Sequence, residues 1–303
     1  MAVFYKLGLR ERINTCLFIL SFVDLLYLAF ACLLYGERAF ALSPSHPRYG
    51  STFRFAVENH FYGLYGVAWA TAFVSVVIAS ERCFCIYFPL RAQNFIKTKT
   101  MAIFLALSCI FITLGFYVVS EKYNMICVYD VERNVTFWQL ITTTSYYVQH
   151  RNLVDIFDST VYGFCLPAIF NVTVAACSVA MILKLKKTLS WRDKASSAMS
   201  TKEALLTKML VCLSIQYNIF SSPNFCIRSA GMFESGLSGS GKYFNTFMLM
   251  VSVVEICSFL NSSIPFFVYY FVGSKYRETL QGLFKSRREI SRKTTLYSTN
   301  SLG

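Results

Sequence analysis

Six stretches of mostly apolar side chains, at roughly 13–35, 61–80, 101–119, 159–183, 205–227 and 243–272, are separated by polar segments along the chain. Each holds about the 20 residues that a helix needs to cross the hydrocarbon core of a bilayer. The pattern predicts an all-α membrane bundle over 1–285. Beyond Gly273, Tyr276, Leu280, Leu283 and Phe284 share one face of a predicted helix over 274–285, with Lys275, Arg277 and Lys285 beside it. That pattern fits a short amphipathic helix lying on the membrane surface. Residues 286–303 are rich in Ser, Thr and Arg and predict a disordered tail.

The charges orient the bundle. If Met1 lies in the cytosol, 21 of the 29 Lys and Arg fall on cytosolic segments and 8 on external ones. Cytosolic loops of helical membrane proteins carry that excess, so both chain ends are placed inside the cell. The net charge of +13 has no basic domain of its own. It sits beside the spans and in the tail, which points to anionic lipid headgroups and a cytosolic partner rather than to nucleic acid. The first stretch is too long for a signal-peptide core and carries Asp24 in its middle. Cysteines and the three histidines lack the spacing of a metal site.

Within the spans, Gly63, Gly66, Ala68 and Ala70 are small enough for close helix approach. Pro167, Pro223 and Pro265 interrupt backbone hydrogen bonding, which a bundle tolerates where neighbours satisfy the freed carbonyl. Asp24 and Glu255 are ionisable groups at membrane depth, which are costly and face the bundle interior or a water cavity. Glu255 is the strongest ligand lead: it calls for a salt bridge to Arg228 or for a basic group on a ligand. Asn134-Val135-Thr136, in the long external segment 120–158, is a glycosylation sequon.

Four stretches together resemble the rhodopsin-like (class A) G-protein-coupled receptors, near the chemosensory and FMRFamide-receptor-like group of molluscs and other lophotrochozoans. They are Leu20 to Leu26, Glu81-Arg82-Cys83-Phe84-Cys85-Ile86 with Pro89-Leu90, Trp191-Arg192 followed by Lys202-Glu203, and Asn261-Ser262-Ser263 through Tyr269 to Arg277. The resemblance begins at the family's first cytosolic loop. It therefore implies that the six spans correspond to helices two to seven of a seven-helix bundle, with the first helix missing through a truncated gene model or in a genuine six-span product.

The resemblance implies roles for particular residues. Asp24 with Thr71, Asn261 and Ser262 would hold a sodium ion or, in its place, a water-filled polar cluster. Glu81, Arg82 and Cys83 match the family's cytosolic Asp/Glu-Arg-Tyr motif. Glu203 stands at the family spacing for a carboxylate that pairs with Arg82 at rest, and Tyr269 matches the Tyr that closes the last span's motif. Tyr35, Leu64, Tyr65, Ala68 and Phe259 match pocket-lining positions and join Arg228 and Glu255 as ligand-binding candidates. The partners implied are a heterotrimeric G protein, an external peptide or small-molecule ligand and, through tail hydroxyls such as Ser291 and Thr295, a receptor kinase and arrestin. Departures from the pattern are Pro265 where Asn is usual, Ser221 at the switch Trp, Ala175 for a Tyr, and Val57 where the family's external disulfide would start.

No enzyme is expected, because paired Asp, Ser/His and metal constellations are missing at membrane depth. A transporter or channel is the less favoured rival, as the two halves show no repeat. A signalling-inactive fragment is the other alternative.

Overall fold

The computed structural model describes residues 1–40, 51–88, 91, 97–130, 134–141, 144–194, 201–234, 236–237 and 242–284, with the backbone alone described for 37–40, 51, 130, 135–140, 188–194, 201–205 and 244. The helices are α1 (Ala2–Leu7), α2 (Arg12–Phe40), α3 (Ser51–Glu58), α4 (Val67–Tyr87), α5 (Thr98–Ser120), α6 (Ser145–Gln149), α7 (Arg151–Asp155), α8 (Leu166–Lys194), α9 (Thr201–Phe233) and α10 (Phe244–Val272). A last helix, α11, covers 274–284. A 3-10 turn, Phe61–Gly66, leads into α4, and a wide π turn, Ile156–Cys165, leads into α8.

Five helical segments among the described residues are long and apolar enough to cross a membrane: Arg12–Gly36, Phe61–Tyr87, Thr98–Ser120, Arg151–Lys187 and Asn245–Val272. The chain is an all-α membrane bundle. The stretch 205–227 forms most of α9 but falls short of that apolarity, because Gln216, Asn218, Ser221, Ser222 and Asn224 interrupt it. Several of these polar groups bond within the bundle. The fourth crossing starts earlier than the apolar pattern indicates, since the π turn and α7 extend it to Arg151.

Two of the prolines show how a kinked helix stays satisfied in lipid. Pro223 cannot bond the Ile219 carbonyl, which accepts from the Ser222 hydroxyl at 3.0 Å instead. Pro265 orphans the Asn261 carbonyl, and Gln216 reaches across from α9 to donate to it at 2.9 Å. The two helices on the crossing are thereby tied together.

The largest packed cluster joins α2, α4, α5, α9 and α10 through Leu17, Leu20, Val74, Leu105, Leu210 and Tyr269. Lipid tails are as apolar as these side chains, so van der Waals fit and interhelical hydrogen bonds hold the helices together. The outer faces stay apolar: Phe111 is 77% exposed and Phe271 71%. Glycine sets one close approach. A Cβ on Gly66 would meet the Phe116 Cβ at 2.7 Å, and one on Gly63 would enter the Tyr117 ring at 2.5 Å.

Residues 1–12, a basic segment by sequence, include α1, whose Val3 and Phe4 are buried. The Phe4 ring packs 5.2 Å from both Tyr269 and Tyr276. Tyr276, Leu280 and Leu283 of α11 join the same cluster, while Phe284 stays exposed. In the segment 120–158, β1 (Asn124–Asp130) pairs antiparallel with β2 (Val135–Ile141), with Cys127 opposite Trp138. Val57 of α3 and Met125 of β1 are buried in one apolar cluster. The tail 286–303 lies outside the described residues.

Candidate functional site

Polar side chains line an axis through the bundle. At one end is Glu255, half-buried in α10. The Tyr35 hydroxyl faces its carboxylate, and Tyr27, Tyr62 and Tyr65 lie near it. The rings form a continuous wall. Tyr62 stacks on Tyr65 at 5.8 Å, Tyr65 meets Tyr27 edge-on at 5.9 Å, and Tyr27 lies 6.0 Å from Phe259. Tyr35 packs 6.0 Å from Phe53. Ala68 is half-buried beside this wall, and Leu64 is exposed on the 3-10 turn.

Arg228 does not join Glu255. Its Nη1 lies 3.4 Å from Asp158, which also holds Lys122 at 2.9 Å. The salt bridge to Glu255 offered by the sequence is thus replaced. Asp158 sits in the π turn, side chain 13% exposed, and draws both cations. Lys122 also reaches Asp155 at 3.5 Å, and the Tyr147 hydroxyl donates to Asp155 at 3.0 Å. Burial alone would lower the Lys122 ammonium; the Asp158 carboxylate outweighs it and holds that pKa above its ordinary 10.5. No sequence spacing announces this cluster, because its members come from three separate segments.

Midway lies Asp24, 6% exposed. The hydroxyls of Ser262 and Thr71 face its carboxyl. They stop short of full hydrogen-bond geometry, since Asp24 Oδ1 and Thr71 Oγ1 are both buried without a hydrogen-bond partner. A cavity of ≈ 30 Å³ opens there, lined by Asp24, Thr71, Ser214, Gln216 and Asn261 among others. That volume holds a water-sized species. One carboxylate and several neutral oxygens, of which Thr71 Oγ1 and Gln216 Oε1 are unsatisfied, fit a small hard cation. Among the described residues no His, Cys, Asp and Glu gather into a transition-metal site.

At the other end, Glu81 and Arg82 close α4. Arg82 Nη2 donates to Glu81 Oε1 at 3.1 Å, and its Nε stands 2.5 Å from Oε2. Arg12, at the start of α2, brings a second guanidinium to the same carboxylate at 3.7 Å. Cys85 donates its thiol to Glu81 at 3.3 Å. The sequence marked Arg12 as one more cytosolic cation. Its position at the foot of the adjacent span was the signal for this role. Cys83 faces the Cys177 thiol of α8. The side chain of Glu203 lies outside the described residues, and with it the expected pairing with Arg82. Tyr269 is 3% exposed and packs on Tyr276 at 5.5 Å.

The sequon Asn134 is exposed and takes a left-handed φ of 53° at the hairpin turn, where Asn is among the residues that tolerate it. Ser221 donates to Asn171 and ties α9 to α8.

Over residues 12–287 the chain matches the model of a family described as serpentine type 7TM GPCR chemoreceptor Srw. No curated protein matches the chain.

Proposed function

The chain belongs to the serpentine type 7TM GPCR chemoreceptor family Srw, and from that membership we propose that it is a plasma-membrane receptor with a rhodopsin-like switch. In this reading it binds an external basic ligand, a peptide or a small amine, and activates a heterotrimeric G protein. The observation that carries the ligand class is Glu255 set against a wall of tyrosine rings. A carboxylate supplies the counter-charge for a protonated amine, and aromatic faces attract the same cation. Arg228 is engaged by Asp158 and does not compete for that carboxylate. Tyr35, Leu64, Tyr65, Ala68 and Phe259 line the site.

At the cytosolic rim, Glu81 holds Arg82 at rest, with Glu203 as its partner on α9. Ligand binding favours the arrangement in which the start of α9 moves out and Arg82 is released toward the G protein. To move such an equilibrium from 1:99 to 99:1 the ligand must prefer the active form by about 5.5 kcal/mol. Asp24, Thr71, Asn261 and Ser262 would hold a sodium ion, which supplies a positive charge that offsets the buried carboxylate. The orphaned Oδ1 and Oγ1 support this. Asn134 carries sugar on the external face, and phosphorylation of the tail by a receptor kinase recruits arrestin.

The test is G-protein dissociation in cells expressing the chain, exposed to a panel of protonated amines and Arg-containing amidated peptides. The reading expects responses confined to cationic members and lost in Arg82→Ala. Responses to neutral or acidic compounds alone would contradict the ligand class. Currents or uptake without a G protein would favour the transporter reading.

A further inference from the structure

Gln216 lies near the middle of α9 and is 8% exposed. A buried amide has two ends to satisfy, a nitrogen that donates and an oxygen that accepts. The nitrogen is accounted for: Nε2 donates at 2.9 Å to the Asn261 carbonyl that Pro265 leaves free. A carbonyl only accepts, so the amide must present its nitrogen there, and that bond fixes which way the oxygen is turned. The oxygen, Oε1, is buried without a hydrogen-bond partner. Such an atom is costly, and an apolar side chain of similar size would fill the space without that cost.

Gln216 lines the same ≈ 30 Å³ cavity as Asp24 and Thr71. Asp24 Oδ1 and Thr71 Oγ1 are also buried there without a partner. Three orphaned oxygens, from α2, α4 and α9, thus border one cavity with room for a water-sized species. An amide oxygen and a carboxylate both accept, so they cannot satisfy each other. A hard cation satisfies both, because it takes amide oxygens alongside carboxylates.

We infer that Gln216 Oε1 is a ligand of the cation at the Asp24 site. The residues given to that site by their likeness to a family pattern, Asp24, Thr71, Asn261 and Ser262, lie on α2, α4 and α10. Gln216 adds α9 to them. One amide then has two duties, to cap the carbonyl freed on α10 and to turn an acceptor into the cavity. This rests on the reading of the Asp24 cavity as a sodium site.

The test is the heat-denaturation midpoint of the purified chain in lipid nanodiscs, followed as sodium chloride replaces choline chloride at constant ionic strength. The wild-type midpoint should rise by about 2 °C or more between roughly 10 and 300 mM sodium. Asp24→Asn should abolish that rise. Gln216→Leu alone removes the cap and the acceptor together. Pro265→Ala gives the Asn261 carbonyl a backbone N–H again, so in that background Gln216→Leu removes only the acceptor. Pro265→Ala should keep the rise, and adding Gln216→Leu should raise the sodium needed for half of it by about tenfold or more. Equal sodium responses in these two chains, or a rise already lost in Pro265→Ala, overturn the inference and leave the Asp24 reading intact. In the first case Gln216 is a cap alone, with water on its oxygen. A wild type indifferent to sodium overturns both. If the Gln216→Leu chain does not purify, Gln216→Met takes its place with the same criteria.

Discussion

Arg12 and Arg82 meet on one carboxylate: Glu81 lies 3.7 Å from the first and 2.5 Å from the second. Two guanidinium groups from different helices compete for a side chain that is 9% exposed. The Arg12 contact is longer and partly exposed, so it is worth about 0–1 kcal/mol. Arg12→Ala leaves Glu81 to Arg82 alone and should lower basal G-protein activation by at most about fivefold, the equivalent of that energy. The check is basal activation at matched surface expression, and a rise in basal activity would contradict the shared-carboxylate account.

Glu255→Gln should weaken a basic agonist by tenfold or more while leaving surface expression unchanged. Losing a charge-assisted bond of about 1.5–3 kcal/mol accounts for that factor. An unchanged half-maximal concentration would remove Glu255 from the ligand site.

Gln216→Leu should leave the Asn261 carbonyl, orphaned by Pro265, with no donor. An unsatisfied buried acceptor costs about 1–3 kcal/mol. The heat-denaturation midpoint should fall by several degrees, and Gln216→Glu, protonated on the facing oxygen, should recover part of the loss. A midpoint equal to wild type would show that the carbonyl finds another donor.

Asp158→Asn removes the anchor shared by Lys122 and Arg228. The expected loss is about 1–2 kcal/mol, with these side chains partly screened by solvent. The sign of the pH effect follows from the raised Lys122 pKa. The Lys122 contribution is complete below the unfolded value near 10.5 and fades as pH climbs through the higher folded value. Melting across pH 8 to 11 should therefore narrow the gap between wild type and Asp158→Asn only at the alkaline end. A gap that closes near neutrality would contradict this assignment.

The crossings were legible in the chain because a bilayer demands length and apolarity, and α2, α4 and α5 satisfy both over nearly the residues the pattern marks. Asp24 and Glu255 stood out because a charge at membrane depth has no generic explanation, whereas Glu81 and Arg82 stood out only through their likeness to a family motif. Pairing was less legible. Arg228 selects Asp158 over Glu255, and that depends on where the π turn brings Asp158 rather than on any spacing. Phe4 sits in a segment too short and too basic to signal burial, yet it packs between Tyr269 and Tyr276. Tyr27 resembles an ordinary core aromatic until its hydroxyl is seen to lack a partner. Gln216 reads as an interruption of α9 until the neighbouring helix places a stranded carbonyl beside it.

The claim that the Glu81–Arg82 end of α4 is a switch is tested most directly by nucleotide exchange on a G protein added to membranes bearing the chain. Glu81→Gln, which releases Arg82, should raise basal exchange several-fold over wild type, and adding Arg82→Ala to it should abolish the rise. Equal exchange in wild type, Glu81→Gln and the double variant, at equal amounts of protein on the cell surface, would contradict the account.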